Sequence, residues 1–400
     1  MKSNAIKGTL VGFAKIVAGV MIAGCSVALC EESELNPLSK YTLGKDLSDA
    51  TGLNLRGWLS GGVTFNGEGS NYNGTLSFND RSNEFQMNQF YLVAERAIDK
   101  TSDAIDLGGR VDVAYGTDSG FTTALGWDDK ISSSRDFYKL ALPQAYVEAF
   151  LPIGSGLTVK AGHFYTLIGY EVVTAPDNFF YSHAYTMQYG EPFTHTGVLA
   201  SYVFDEAVTL TAGVTKGWDN FEDAGKSESF LGSISWASDD TSVTFALTSG
   251  NEAPGLNRTM YSVVVAHQLC NGLKYVLQHD YGYSEGGSGV VPGDAAQWYG
   301  LNQYLTYEVS DELSVGGRVE WFRDDDGSRV VGLRSGTGGG VADYYGLTMG
   351  VNYSPASYMK IRPEVRYDYQ DRRDDGVPAA FDAGGSTNQW TGAVDFIVQF

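Results

Sequence analysis

From Leu53 onwards the chain alternates apolar and polar residues in segments of roughly ten to fourteen residues, and the connections between segments sort by parity. The short ones are Pro152–Gly156, Asp205–Glu206, Asp239–Thr241, Cys270–Gly272, Ser310–Glu312 and Ser354–Ser357. The long ones are Asn66–Glu84, Ser119–Tyr138, Leu167–Pro192, Tyr283–Ala295, Asp324–Asp343 and Gln370–Thr387; Ala97–Ile105 is long for a turn. A soluble β-sandwich has no reason to sort its loops in this way. A barrel crossing a bilayer does, because its two ends meet different surroundings. About sixteen segments, from Leu53–Phe65 to Asn388–Phe400, fit an all-β, closed antiparallel transmembrane barrel of about 16 strands, with short periplasmic turns and long extracellular loops.

The last segment carries the same message. Trp390, Gly392, Val394, Phe396, Val398 and Phe400 share one face, while Gln389, Thr391, Asp395 and Gln399 lie on the other. Closure requires this strand to pair with the first. Its abrupt end in Phe400 is expected to be what the barrel assembly machinery engages. Beyond the amino terminus no stretch is long and apolar enough for a spanning helix, while 50 Gly, 25 Tyr, 20 Phe and 7 Trp supply turns, strands and interfacial rings. The net charge of -21 argues against nucleic acid, whose binding needs a basic footprint.

Residues 1–30 read as a signal peptide: Lys2, Lys7 and Lys15 precede the apolar run Ile16–Leu29. Export to an outer membrane of Gram-negative type follows. Ile22-Ala23-Gly24-Cys25 resembles a lipobox, whereas Ala28-Leu29-Cys30 suits ordinary cleavage, and the second is favoured because the apolar run continues through Leu29. Cys270 is then the single mature cysteine, so no intramolecular disulfide is possible. Residues 31–52 form a periplasmic lead-in, and 53–400 the barrel.

Charges decide which face looks inward. Lys360, Arg362, Glu364, Arg366 and Asp368 share one face, opposite Met359, Ile361, Val365, Tyr367 and Tyr369. A charged row cannot face lipid, where each cation costs a few kcal/mol at the midplane, so it is expected to line a wet lumen. The same reading assigns Arg110, Asp112, Glu148, Lys160, Arg318 and Glu320 to the lumen, with Gln89, Glu95, Gln144 and Asp395. Pro143 and Pro363 interrupt strands that need donors on both sides, and bulges are expected there.

Asn88-Gln89-Phe90-Tyr91, the run Gly108–Asp118, Leu142–Tyr146, Lys160–Tyr165, Gly169–Val173, Asn178–His183, Pro192–Gly197 and Gly217–Asn220 together resemble the beta-barrel porin 2 family, also called OmpL-like. Trp298–Tyr304 and Arg318–Gly327 extend the likeness, which covers nearly all the mature chain. The resemblance implies an outer-membrane barrel for passive diffusion and brings no catalytic or solute-contact residues with it.

The five histidines and three cysteines show no metal-ligand spacing, and no nucleophile motif accompanies His183 or His195, which could meet Glu191 or Asp177. No enzyme and no cofactor are expected. Asp324-Asp325-Asp326-Gly327 and Asp374-Asp375-Gly376 could take calcium, but Asp-Gly turn chemistry is the simpler reading. Leu167–Pro192 differs from the other long loops by carrying Tyr170, Val172, Val173, Phe179, Phe180, Tyr181, Tyr185, Met187 and Tyr189. Leaving such surface in water is unfavourable by roughly 25 cal/mol per Å², so this loop should fold against the inner wall as a constriction, with Asp177, His183 and Glu191 beside the passage. The expected function is a porin for small hydrophilic solutes and ions, mildly cation-preferring. A structural or adhesive barrel with a closed lumen is the alternative. Outer-membrane lipids and further protomers in a homotrimer are the expected partners.

Overall fold

The structure, a computed structural model, describes residues 51–400 apart from 134–135, 206, 223–227, 254–255, 286–294, 331–339 and 374–375. The signal peptide and nearly all of the lead-in thus lie outside the described residues, as do Asp374 and Asp375. Sixteen strands form one closed antiparallel barrel in which each pairs with its sequence neighbours and the last with the first. They are β1 (Asn54–Asn66), β2 (Phe85–Arg96), β3 (Asp106–Gly116), β4 (Lys139–Leu151), β5 (Leu157–Tyr165), β6 (Thr194–Val203), β7 (Val208–Thr215) and β8 (Ser229–Ala237). The second half comprises β9 (Thr241–Ala253), β10 (Leu256–Cys270), β11 (Leu273–Glu285), β12 (Ala296–Ser310), β13 (Leu313–Asp324), β14 (Ala342–Ala356), β15 (Met359–Arg372) and β16 (Asn388–Gln399).

Closure is completed by the terminal residue. Gly57 N donates to Phe400 O at 2.8 Å and Phe400 N donates back to Gly57 O at 2.9 Å. The Phe400 ring lies over Gly57, where a Cβ would come within 2.9 Å of it and 2.4 Å of Tyr91 O. Glycine is therefore required at the seam.

The strands alternate as the sequence does. On β16, Trp390 and Val394 are exposed to the outside, whereas Gln389, Thr391 and Asp395 are buried inside. Neighbouring rings run around the outer face, through Phe245, Tyr261, Tyr281, Tyr299 and Trp321 on β9 to β13, and again at Tyr345–Tyr369 and Tyr367–Trp390. Such a belt sits where hydrocarbon meets headgroups. The wall from β3 to β7 differs. One row of directly paired outward residues there reads Gly109, Val147, Ala161, Val198 and Val214.

One connection departs from the loop parity, and of the two expected proline bulges one forms. The connection after β9, which loop parity would make long, is mostly strand: Ser249 pairs with Thr259 and Asn251 with Asn257, leaving two residues between the strands. Polar residues continue the period there, which an apolar pattern cannot register. Pro143 does sit at a bulge, since Leu142 and Pro143 oppose Val113 alone. Pro363 does not: Gly350 pairs with Glu364 and Tyr353 with Ile361, so two residues face two and the β14–β15 pairing simply lapses where proline has no N–H.

Candidate functional site

The third long loop, between β5 and β6, runs inside the barrel and is held there by the charged row. Arg318 donates to Glu171 Oε1 at 2.7 Å, to Ser182 O at 2.7 Å and to Thr348 Oγ1 at 3.1 Å. Glu320 accepts from Tyr185 N at 2.7 Å, and Glu364 from Tyr181 N at 2.9 Å and Ser182 N at 3.2 Å. Arg362 Nη1 donates to the carbonyls of Ala175, Asn178 and Phe180, while Lys360 Nζ reaches Pro176 O at 3.1 Å. Arg366 donates to His183 O, and Asp368 accepts from Tyr185 OH at 3.0 Å. Seven of the fifteen lumen residues singled out in the sequence thus bind the loop's backbone or side chains, and Gln89, which donates to Val173 O and accepts from Ala175 N, is an eighth. Buried backbone groups need partners, and the wall supplies them to a segment with little ladder of its own.

The charges also neutralise one another. Arg366 lies 3.0 Å from Glu320 and 2.8 Å from Asp368, and Arg318 lies 3.3 Å from Glu320. The row expected to face water is buried at Arg318, Glu320, Arg362, Glu364, Arg366 and Asp368, because the loop covers it. Arg110, Asp112, Glu148 and Lys160 stand on another stretch of wall. Arg110 is paired with Asp112 at 2.7 Å, Glu148 is opposite Lys160 in register, and Lys160 Nζ sits 4.1 Å from the Tyr146 ring centre. Asp112 is buried, whereas Arg110, Glu148 and Lys160 keep part of their surface open towards the short-turn end.

Within the loop, Phe179 and Phe180 lie against Gly316 and Gly350, where a Cβ would meet their rings at 2.6 and 3.1 Å. Tyr181 OH donates to Asn88 Oδ1 at 2.9 Å. His183 pairs with Glu171 at 3.0 Å, not with Asp177 or Glu191, and His195 pairs with Thr166 and with Gly217 O. Burial pushes the Glu171 carboxyl up, but Arg318 and then His183 outweigh it and hold the group below the usual carboxylate range. Asp177 is exposed and accepts from Thr174 Oγ1. Glu191 is buried; its Oε1 accepts from Gln278 Nε2 at 2.5 Å, and that same amide nitrogen stands 3.0 Å from Asp280. Gly169, at φ +87°, lets the loop pass there, since a Cβ would lie 2.0 Å from the Glu191 carboxylate.

Other loops join the third, against the expectation that they stay in water. Leu76 of the first, Trp218 of the fourth, Val330 of the seventh and Phe381 of the eighth are buried with Tyr185 and Tyr189 against Leu231, Met260, Trp298 and Phe322 of the wall. Leu76, Phe78 and Phe381 were the available sequence signal, diluted by Gly, Ser and Asn around them. Glu171 gave none, since an acidic residue in a loop ordinarily reads as solvated. Asp324 caps the backbone of Ser328, Arg329 and Val330, and Asp326 accepts from Gln297 N, so these carboxylates serve the turn. Among the described residues every strand carries at least one buried inward side chain, from Ser60, Gln89, Asp112, Gln144 and His163 round to Thr348, Arg366 and Thr391.

Solved structures show the same fold at low identity. OmpT of Vibrio cholerae in a trimer form matches with a TM-score of 0.54 and 13% identity over 87% of this chain and 99% of that one. The outer membrane channel DcaP of Acinetobacter baumannii gives 0.55 and 13% over 87% and 97%, and an anion-selective porin from Comamonas acidovorans 0.57 and 10% over 87% and 99%. No curated protein sequence matches the chain. The family model described as "Putative beta-barrel porin-2, OmpL-like" matches residues 52–400, and the chain, a closed barrel of sixteen strands, belongs to that porin family of the outer membrane.

Proposed function

We propose that this porin passes small hydrophilic solutes and ions by diffusion, and that its third loop is the constriction that sets what passes. The observation that carries the reading is the loop's placement: it lies within the barrel and is tied by side chains of β13 and β15, so its position fixes the free cross-section of the lumen. Arg110, Glu148, Lys160 and Lys360, which keep open surface, together with Asp177 on the loop, are the groups a solute meets. Rigid placement of loops against a wall of paired charges is how a barrel of this size is narrowed.

A second reading has its own support. Every strand carries a buried inward side chain, which supports a filled lumen of the kind a structural or adhesive barrel would have. Conductance across a planar bilayer separates the two. Under the porin reading the wild type conducts, and deletion of Thr174–Gln188 enlarges the single-channel step while the barrel stays heat-modifiable. Under the structural reading the wild type is silent and only the deletion conducts. A folded deletion with wild-type conductance would remove the constriction role.

The chain is further proposed to reach the outer membrane through residues 1–30 as a signal peptide, with Phe400 engaged by the assembly machinery. It is proposed to be a homotrimer there, as the trimer form of OmpT of Vibrio cholerae suggests. The smooth row Gly109, Val147, Ala161, Val198 and Val214, without the rings that border lipid elsewhere, is the wall best suited to a second copy.

A further inference from the structure

Pro363 leaves a mark on the outside of the barrel. Because β14 and β15 are unpaired at Val351 and Asn352 against Arg362 and Pro363, the wall opens into a hollow of about 390 Å³. Its lining comes from Val315, Gly317, Met349, Val351, Pro363 and Val365, with Gly316, Gly350 and Glu364, whose carboxylate turns inward to the loop, as its floor. Gly317 deepens it: a Cβ there would have nothing nearer than Thr348 O at 3.9 Å. On the inner side of the same two floor glycines lie Phe179 and Phe180, so the wall here is one backbone thick.

We propose that this hollow binds an acyl chain of a membrane phospholipid. The strands that form it bear Trp321, Tyr345 and Tyr369 near the long-loop end, the belt of a wall that meets lipid. In that setting no water is at hand to fill a cavity, and an empty one forfeits dispersion contacts on every lining atom. A flexible chain of methylenes fills an irregular apolar slot; a rigid neighbouring barrel would need a matching knob. The charged residues of this part of β15, Lys360, Arg362 and Glu364, turn inward to the third loop. The site therefore reads the chain and not the charge of the headgroup.

The test is native mass spectrometry of the full barrel after reconstitution with phosphatidylethanolamine or phosphatidylglycerol and exchange into detergent. The wild type should retain roughly one phospholipid per barrel, equally for both headgroups, held by the apolar burial of the chain. Gly317→Phe, whose Cβ meets nothing nearer than 3.9 Å, and Met349→Trp should each lose it, while Ile234→Phe on the exposed β8 wall retains it. Heat-modifiability confirms that each variant is folded. Equal retention in wild type and both hollow-filling variants, no retention in the wild type, or retention of phosphatidylglycerol alone would overturn the proposal. So would a change of oligomeric state in Gly317→Phe with lipid retention unaltered, which would make the hollow a seat for a second copy.

Discussion

Arg362 grips Asp395 across two strands, Nε to Oδ1 at 2.9 Å and Nη2 to Oδ2 at 2.7 Å, and the same guanidinium turns its remaining nitrogen to three carbonyls of the third loop. The pair is buried on both sides. One residue thus belongs at once to the β15–β16 ladder and to the loop. Breaking such a pair from one side leaves an uncompensated charge at a cost of about 3–5 kcal/mol. Asp395→Ala should lower the temperature at which the barrel unfolds on heated gels and expose the loop to protease. An unchanged midpoint would show that the loop carbonyls alone satisfy Arg362.

The seam makes a second prediction. Gly57→Leu would drive a side chain into Tyr91 O and the Phe400 ring, and Phe400→Asp would place a charge at the end of the apolar face. Both should sharply reduce the heat-modifiable, membrane-inserted fraction. Normal insertion of Phe400→Asp would separate the C-terminal residue from barrel closure.

Strand number, closure and face assignment were legible because they rest on a period of two and on loop parity, and both survive without knowledge of partners. Gln389, Thr391 and Asp395 went inside and Trp390 outside, as the alternation required. The inward turn of Leu167–Pro192 was legible from its aromatic load. What covers Arg318 and Arg366 was not. A charged row reads as wetted when its partners are carbonyls more than a hundred residues away, since nothing local distinguishes water from a buried backbone acceptor. The same blindness hid Glu171, whose partners Arg318 and Tyr304 lie on distant strands.

Glu191 gives the loop a dependence on pH. Burial, then the neighbouring Asp280 carboxylate, pushes its carboxyl well above the usual range. A raised value means that the docked loop holds the proton. Its stabilisation is present below the ordinary carboxylate pKa and is lost as pH rises through the raised one. Alkaline solution should therefore loosen the loop and increase conductance, and Glu191→Gln should flatten that rise. A wild type whose conductance is constant from acidic to alkaline pH would remove Glu191 from the docking energetics.

Ion preference follows from the charges that water still reaches. Arg110, Lys160 and Lys360 are balanced by Glu95, Glu148 and Asp177, so most of the net charge of -21 acts from outside the lumen. That long-range field enriches cations and fades as salt shortens the Debye length. Reversal potentials should show mild cation selectivity at low salt and less at high salt; strong anion selectivity would contradict this.

The smooth wall predicts how copies meet. Val147→Trp should lower the trimer fraction in sedimentation experiments, because a large ring spoils a close fit. Val319→Trp, on the ringed wall where Val319 is exposed, should leave assembly unchanged since lipid accommodates it. Equal behaviour of the two would place the protomer contact elsewhere.

Many of the loop's anchors are late in the chain. Ser182 waits for Arg318, Tyr185 for Glu320 and Asp368, and Ala175 for Arg362, across separations of 135 to 187 residues. Gln89, Asn88 and Ser77 of the first half hold the segment at Val173 and Ala175, at Tyr181 and at Gln188, so the late anchors complete its docking, and pairings of such span form slowly because the intervening chain must first be ordered. A nascent barrel of β1 to β12 is therefore a curved sheet whose apolar third loop, held by β2, β11 and β12, is only partly seated on the concave side. The docking is completed only when β13 to β16 bring Arg318, Glu320, Arg362 and Glu364, so the event that joins the first strand to the last also finishes the loop's withdrawal from chaperones and proteases, and premature truncation forfeits both.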